Sequence, residues 1–450
     1  MTPASRLAQP APGVAVQAES ITAYTDGSCI NNGKANAQCG SGVWVADNSP
    51  LNRAFRVPGT QQSNQVGELV AIILVLQTAP PFAPVHIISD SRYAIDGLTT
   101  HLQSWEDAGW IDVANAPLFA TAAYLLRRRS AATTFQWVKG HNGDPGNEKA
   151  DALANTGANK HTPDALDLSI DPNFQLTGAR LSALTQSLAY KKINLAEAAA
   201  TLPGTLSQLH CARDAVQTRS GSLDTDATLW NSYKNRDLPK PIQQFLYRAT
   251  HRSYKIGTFW LPIPNYEDRA VCAACHAPVE TMEHILAECP NNHQEHLWSL
   301  AKELWPHGDH SWPHISLGTV LASGRLETRL PDPDAPDTLK THKGASRLLR
   351  ILVSETARLI WVLRCDRAIN DTIASPQAAA RRWHNRITER LITDRLVATR
   401  KDRSTTTVGL TQATWQGTLA DEDALPPDWA AAKEVLVGIK LPSTLLTGHT

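Results

Sequence analysis

Four acidic residues stand where acids could act together. Asp26 closes a short strand pattern in YTDGS, and Glu68 lies inside NQVGELVAIILVLQT. Asp90 closes VHIISD, and Asp151 sits in GNEKADALA, ten residues after His141. Singly, each has an ordinary reading. An acid at a strand end caps a turn or a helix, and a helical Glu is usually solvated. Glu68 resists that reading, because Val66, Leu69, Val70, Ile72 and Ile73 make its helix largely buried. His141, in the loop GHNGDPG, titrates near neutrality and suits proton transfer, although a loop histidine is more often a plain surface residue. A second cluster, Cys272, Cys275, His284 and Cys289, has the spacing C-x2-C-x8-H-x4-C. Three thiolates and an imidazole suit a closed, structural, tetrahedral Zn²⁺ site. The alternative is a metal-free cysteine pair beside a helix histidine. His276, His293 and His296 are each close enough in sequence to replace a ligand.

The elements that must position the acids are legible from periodicity. Ile21 to Thr25, SGVWVAD from Ser41 and NRAFRVP from Asn52 read as three strands joined by turns. Asn64 to Thr78 reads as an apolar helix, VHIISD as a buried strand and SRYAIDGL as a short helix. A helix over Ala116 to Arg129, a strand in TTFQWVKG and a final helix in GNEKADALANTGA complete the pattern. Strands joined by turns, then alternating helices and strands, predict an α/β fold, a mixed sheet with flanking helices.

The five pieces TDGSC, the Gly40 and Gly42 pair in CGSGVWV, the acid-bearing helix, SDSRYAI and W-V-K-G-H…G-N-E-x-x-D-x-L-A occur in order from Ile21 to about Ala158. This order resembles type 1 ribonuclease H. The resemblance implies a ribonuclease H-like five-stranded mixed sheet, with Asp26 and Asp90 on neighbouring strands and Glu68 and Asp151 closing the cluster. It further implies two Mg²⁺ ions, with Mn²⁺ as a substitute: Asp26 bridges, Glu68 and Asp90 share one ion, and Asp151 completes the other. Hard oxygen ligands suit Mg²⁺, and a metal pair stabilises both the attacking and the leaving oxygen of a phosphodiester. Without metal, four such carboxylates repel one another. His141 matches the family's mobile, auxiliary histidine. Gly27, Ser28, Cys29, Asn32, Asn64 and Arg92 match positions that reach the minor groove, where the 2′-hydroxyls of the RNA strand are read. Cys29 reads equally well as a small buried thiol.

Two departures bear on substrate grip. SWEDAGWID carries Glu106, Asp107 and Asp112 where some relatives carry a basic handle, and Gln65 follows Asn64 where a second Asn is common. Arg127, Arg128 and Arg129 are candidate compensation, although basic residues at a helix end more often answer the helix dipole. Farther on, CAACHAPVETMEHILAECP, YKIGTFW and the arginine-rich helices resemble the zinc-binding segment that follows ribonuclease H in non-LTR retrotransposon polyproteins. The chain thus resembles a separated or repurposed C-terminal portion of such a polyprotein.

Composition sets the rest. The 450 residues have no net formal charge, but 340–403 hold 15 Lys and Arg against 6 Asp and Glu. Seven cysteines, no signal-peptide core and no run of apolar residues long enough for a membrane predict an intracellular protein, nuclear or cytoplasmic and not secreted. The expected organisation is a disordered lead-in (1–20), the ribonuclease H-like domain (21–158), a linker (159–176) and a mostly α-helical region with the zinc site (177–328). A second linker (329–339), a basic helical segment (340–403) and an irregular tail (404–450) follow. The expected function is cleavage of the RNA strand of RNA/DNA hybrids, with RNA or DNA also bound through the basic C-terminal helices and no membrane partner. The alternative is a catalytically weak or inactive, retrotransposon-derived nucleic-acid-binding protein.

Overall fold

A computed structural model describes residues 20–140, 143–176, 178–196, 202–332, 335–400, 405–432 and 434–442. The lead-in before residue 20 and His141 lie outside the described residues. The chain forms two compact units, Met1–Ala200 and Thr201–Thr450.

In the first unit, β1 (Ile21–Ile30), β2 (Gln38–Trp44) and β3 (Arg53–Arg56) form an antiparallel meander. Next come α1 (Asn64–Thr78), β4 (Val85–Ser89), α2 (Arg92–Leu98), α3 (Leu102–Asp107), α4 (Ala116–Arg128), β5 (Thr133–Trp137) and α5 (Pro145–Ala158). The sheet order is β3-β2-β1-β4-β5, with β4 parallel to both β1 and β5. The expected mixed five-stranded sheet with flanking helices is therefore the observed fold. α1 is buried continuously from Val66 to Leu76, which explains its apolar character on every face. Ser63 caps it by accepting from the Val66 amide at 3.3 Å, leaving one fewer orphan N–H.

β1 is twice as long as expected. Its second half pairs with β2 out to Ile30↔Gln38, whereas its parallel pairing with β4 stops at Thr25↔Ser89. Asp26 is thus not a strand-end residue. It lies in mid-strand, one step beyond the last β4 pair.

The segment 159–176 is a strap rather than a free linker. Asp164 accepts from the Arg56 amide at 2.6 Å and from Lys160 Nζ at 2.8 Å. Gln77 and Thr121 donate to the carbonyls of Asp167 and Leu168. Its polar composition reflects bonding to the domain surface. The unit continues past it: α6 (Gln186–Ala196) follows, and Arg180 and Lys191 pair with Asp107 and Asp112. Leu181, Leu184 and Ile193 are exposed here, and Leu188 is half-buried.

The second unit contains α7 (Pro203–Ser220), α8 (Asp226–Ser232), α9 (Lys240–Thr250), α10 (Gln294–Glu303) and α11 (Leu317–Leu321). It continues with a hairpin of β6 (Arg329–Asp332) and β7 (Ala335–Thr341), then α12 (Lys343–Asn370), α13 (Pro376–Ala398) and α14 (Thr405–Trp415). Three expectations are corrected. The second linker is a hairpin, because Arg329, Leu330 and Pro331 pair with Thr341, Lys340 and Leu339. The tail is not irregular throughout: it holds α14, and Trp415, Leu419, Ala430 and Ile439 are buried in the core. The basic helices are not a separate segment, since Leu348, Leu352, Leu359 and Leu363 of α12 are central to that core.

The arginines of α12 and α13 largely face carboxylates of the same unit. Arg347 bonds Asp237 at 2.9 Å and Asp394 at 2.5 Å. Arg350 bonds Asp237 at 2.8 Å, Arg364 bonds the buried Glu280 at 2.9 Å, and Arg382 bonds Asp366 at 2.8 Å. Among the described residues no helix is long and apolar enough to cross a membrane.

Candidate active site and metal centres

The acids converge because glycine lets the helices touch the sheet. A Cβ on Gly27 would lie 2.3 Å from the Glu68 amide nitrogen, so β1 and α1 approach closely beside Asp26. A Cβ on Gly42 would lie 1.9 Å from the Ala150 carbonyl oxygen, so α5 rests directly on β2 and carries Asp151 toward the sheet. Ser41 Oγ donates to the Gly67 carbonyl at 2.7 Å and fixes α1 beside Glu68. Asp144 caps α5, accepting from the Gly146 and Asn147 amides at 3.0 Å.

The result is a trio. Carboxylate oxygens of Asp26, Glu68 and Asp90 all lie within 4.8 Å of one another. Asp151 stands outside this trio but shares a hydrogen bond with Asp26, and it accepts from Asn155 Nδ2 at 3.0 Å. Burial, then the Asp90 charge, then the bond with Asp151 push the Asp26 carboxyl up to about 7. Burial, followed by the charges of Asp26 and Asp90, raises Glu68 well above the usual carboxylate range. Glu68 Oε2 is buried with no hydrogen-bond partner. A crowded, under-satisfied set of hard oxygen donors fits divalent cations.

The expected substrate residues surround this trio unevenly. Gly27 follows Asp26 directly, and Ser28 Oγ donates to Asn155 Oδ1 at 2.5 Å. Cys29 is half-buried and packs partly on the core, with its thiol raised by burial. Asn32 is exposed in the β1–β2 turn, and Asn64 is exposed at the first position of α1. Arg92 is exposed at the start of α2, its guanidinium 4.2 Å from the Trp137 ring centroid.

Two positioning groups escaped the sequence reading. Asn147 is buried, and its Nδ2 approaches Asp90 Oδ2 at 3.5 Å. Trp137 Nε1 donates to the Asp90 carbonyl at 2.9 Å. The available signals were the Asn of GNEKAD, a polar residue in the first turn of a helix on the sheet, and the Trp of FQWVKG.

Two of the three arginines offered as compensation for the basic handle are engaged within the fold, and Arg128 is exposed. Arg127 pairs with Glu106. Arg129 is buried and donates to the carbonyls of Ala79 and Pro80, each at 3.2 Å, and of Ala83. Arg128 lies 5.5 Å from the Tyr124 ring centroid. The acids of the handle region are likewise engaged, Asp107 with Arg180 and Asp112 with Lys191.

In the second unit, ligand atoms of Cys272, Cys275, His284 and Cys289 lie within 4.8 Å of one another. The Cys272 and Cys289 sulfurs are 3.7 Å apart, and Cys275 Sγ is 3.2 Å from His284 Nε2. Zn–S bonds of about 2.3 Å at tetrahedral angles require sulfurs about 3.8 Å apart, so this set fits Zn²⁺. His293 Nε2 bonds the Ala374 carbonyl at 2.8 Å, and neither His276 nor His296 joins the cluster.

Together, the mixed sheet and its acid trio define the ribonuclease H fold class. Residues 18–159 match the family described as RNase H. Ribonuclease H from Polaromonas naphthalenivorans (strain CJ2) is 33% identical over 149 residues, covering 32% of this chain and 90% of that protein. The chain belongs to the ribonuclease H family. Ribonuclease H1 of Mus musculus is 34% identical over 145 residues, 31% of this chain and 50% of that protein. Ribonuclease H of Schizosaccharomyces pombe is 37% identical over 142 residues, 30% and 52% respectively. The chain therefore spans about half the length of the mouse and yeast relatives.

Proposed function

We propose that the first unit is an endoribonuclease that cleaves the RNA strand of RNA/DNA hybrids by two-metal-ion hydrolysis. The observation that carries this reading is the trio of buried Asp26 and Glu68 with half-buried Asp90. Asp26, Glu68, Asp90 and Asp151 would hold two Mg²⁺ ions, or Mn²⁺ in their place, with Asp26 serving both, Glu68 and Asp90 one, and Asp151 the other. When bound, the ions supply an acidified water and neutralise charge on the leaving oxygen. Asn147 and Trp137 orient Asp90 from its carboxylate and backbone sides. Burial of Asp26 and Glu68 keeps bulk water from relaxing the charge of the site. Gly27, Ser28, Cys29, Asn32, Asn64 and Arg92 form the substrate rim, and His141 assists proton transfer and product release. An inactive binding fold would leave the crowding of Asp26 and Glu68 as a cost with no return.

In the second unit Cys272, Cys275, His284 and Cys289 hold a structural Zn²⁺. The proposal includes kinship with the ribonuclease H–zinc portion of non-LTR polyproteins, supported by the phrase CAACHAPVETMEHILAECP and the convergence of its four ligands. It also includes an intracellular setting, supported by seven cysteines of which none is paired in a disulfide.

The test is incubation of the protein with labelled hybrid, with Mg²⁺ or chelator, beside single-stranded RNA, RNA duplex and DNA duplex. Only the hybrid's RNA strand should be cut, only with Mg²⁺, and not by Asp26→Asn or Asp90→Asn. Intact hybrid at high protein concentration would overturn the reading.

A further inference from the structure

The helices α8 and α9 border an open cavity of about 610 Å³ in the second unit, lined by Trp230, Asn231, Lys234, Lys240, Gln244 and Tyr247 among others. Three rings meet beside it. Trp230 stacks on His251 with centroids 4.9 Å apart and planes at 22°, and Tyr247 meets His251 edge-on at 4.5 Å. Tyr247 is 53% exposed. The platform beneath is rigid: Ile242, Phe245 and Leu246 are buried, and the Tyr233 and Thr250 hydroxyls are 2.6 Å apart.

Charge completes the face. From Asp226 to Thr250, α8, α9 and the turn between them hold four Lys and Arg against Asp226 and Asp237, which pair with Arg213 and with Arg347 and Arg350 respectively. Lys234 and Lys240 are exposed at the cavity. Aromatic and basic side chains keep alternating beyond it, with Arg248 over Tyr254 at 4.4 Å, Lys255 over Phe259 at 5.6 Å and Arg269 over Trp260 at 5.1 Å.

We propose that this face binds single-stranded RNA. Unpaired bases stack on the exposed Tyr247 ring, backed by the Trp230–His251 stack, as in platforms that combine aromatic faces with a positive groove. Lys234 and Lys240 take the phosphates, and the amides of Asn231 and Gln244 offer partners to 2′-hydroxyls. A duplex keeps its bases inside the helix and cannot use the rings. An acidic peptide would use the lysines alone. The site lies wholly in the second unit, so it does not rest on the hybrid-cleavage proposal.

The experiment is fluorescence anisotropy of a labelled single-stranded RNA of about 12 nucleotides. It uses the full chain in Mg²⁺-free buffer without chelator, across about 50 to 200 mM salt. Binding should be salt-dependent, should survive Tyr247→Phe, and should weaken about fivefold or more in Tyr247→Ala. Lys234→Glu with Lys240→Glu should weaken it further and flatten the salt dependence. Unchanged melting of the second unit in Tyr247→Ala would show that the loss is not unfolding. Equal binding of DNA of the same sequence, displacement of RNA by polyglutamate at matched charge, or unchanged affinity in these variants would each overturn the proposal.

Discussion

Replacing Asp26 by Asn should stabilise the metal-free protein while it abolishes cleavage. The Asp26 carboxyl rises from 3.8 to about 7, through burial first and the Asp90 charge second. Because the folded value is raised, the stability associated with the protonated group is fully present below about pH 4 and is lost as pH rises through about 7. A rise of this size is worth about 4 kcal/mol once ionisation is complete, and about half of that near pH 5.5. Asparagine carries no charge, so it escapes the whole cost, and it also removes a charge that raises Glu68. Even half of the full amount moves the melting temperature of a domain this size by about 4–8 °C. Calorimetry of dialysed, Mg²⁺-free protein at pH 8 and pH 5.5 reads the effect on the first unit's transition. Asp26→Asn should melt higher than the unmodified chain at pH 8, with a smaller gain at pH 5.5. Added Mg²⁺ should close the gap by stabilising the unmodified chain. Melting of the variant at or below the unmodified chain at pH 8 would refute the reasoning, because the site would then not be electrostatically crowded.

Gly42→Ala should cost more than about 2 kcal/mol in urea unfolding and lower hybrid cleavage, since its Cβ would lie 1.9 Å from the Ala150 carbonyl and push α5, with Asp151, off the sheet. Purified protein should hold about one Zn²⁺ per chain, and Cys272→Ser should lose it and lower the melting temperature of the second unit; unchanged metal content would reject the ligand set. Asp394→Ala should destabilise the second unit by about 2 kcal/mol or more, read by urea unfolding, because it leaves the Arg347 guanidinium with Asp237 as its remaining carboxylate and removes the acceptor of the Trp415 indole. Truncation after Leu339 should abolish the cooperative unfolding of the second unit, because it removes α12 from the centre of its core.

Within the first unit, local signals agreed with tertiary structure, so much of it could be read from sequence. α1 runs over the expected residues because Ser63 supplies the cap and an unbroken apolar stretch supplies a fully buried helix. The length of β1 was hidden because TDGSC reads as a turn. Gly27 and Ser28 are strand residues only because β2 extends alongside them. The trio was legible from types and order, while Asn147 was not: a helix-start Asn is ordinary in sequence, and its work depends on Asp90 arriving from a strand 57 residues away.

The basic half shows why a charge tally along the chain predicts neither surface potential nor partners. The excess of arginine in 340–403 suggested a nucleic-acid grip. Yet Arg347, Arg350 and Arg364 answer Asp237 and Glu280, which lie 84 to 113 residues earlier in sequence. Segment-wise counting separated these partners and so reported charge that folding neutralises. The reverse holds at the α8–α9 cavity, where Asp237 is drawn inward by Arg347 and Arg350 and the exposed charges lining the cavity are Lys234 and Lys240. The carboxylate that neutralises α12 therefore makes the α8–α9 face more positive than its own sequence suggests. Substituting Asp237 would disturb both at once, whereas Lys234 and Lys240 can be reversed in sign without touching the core.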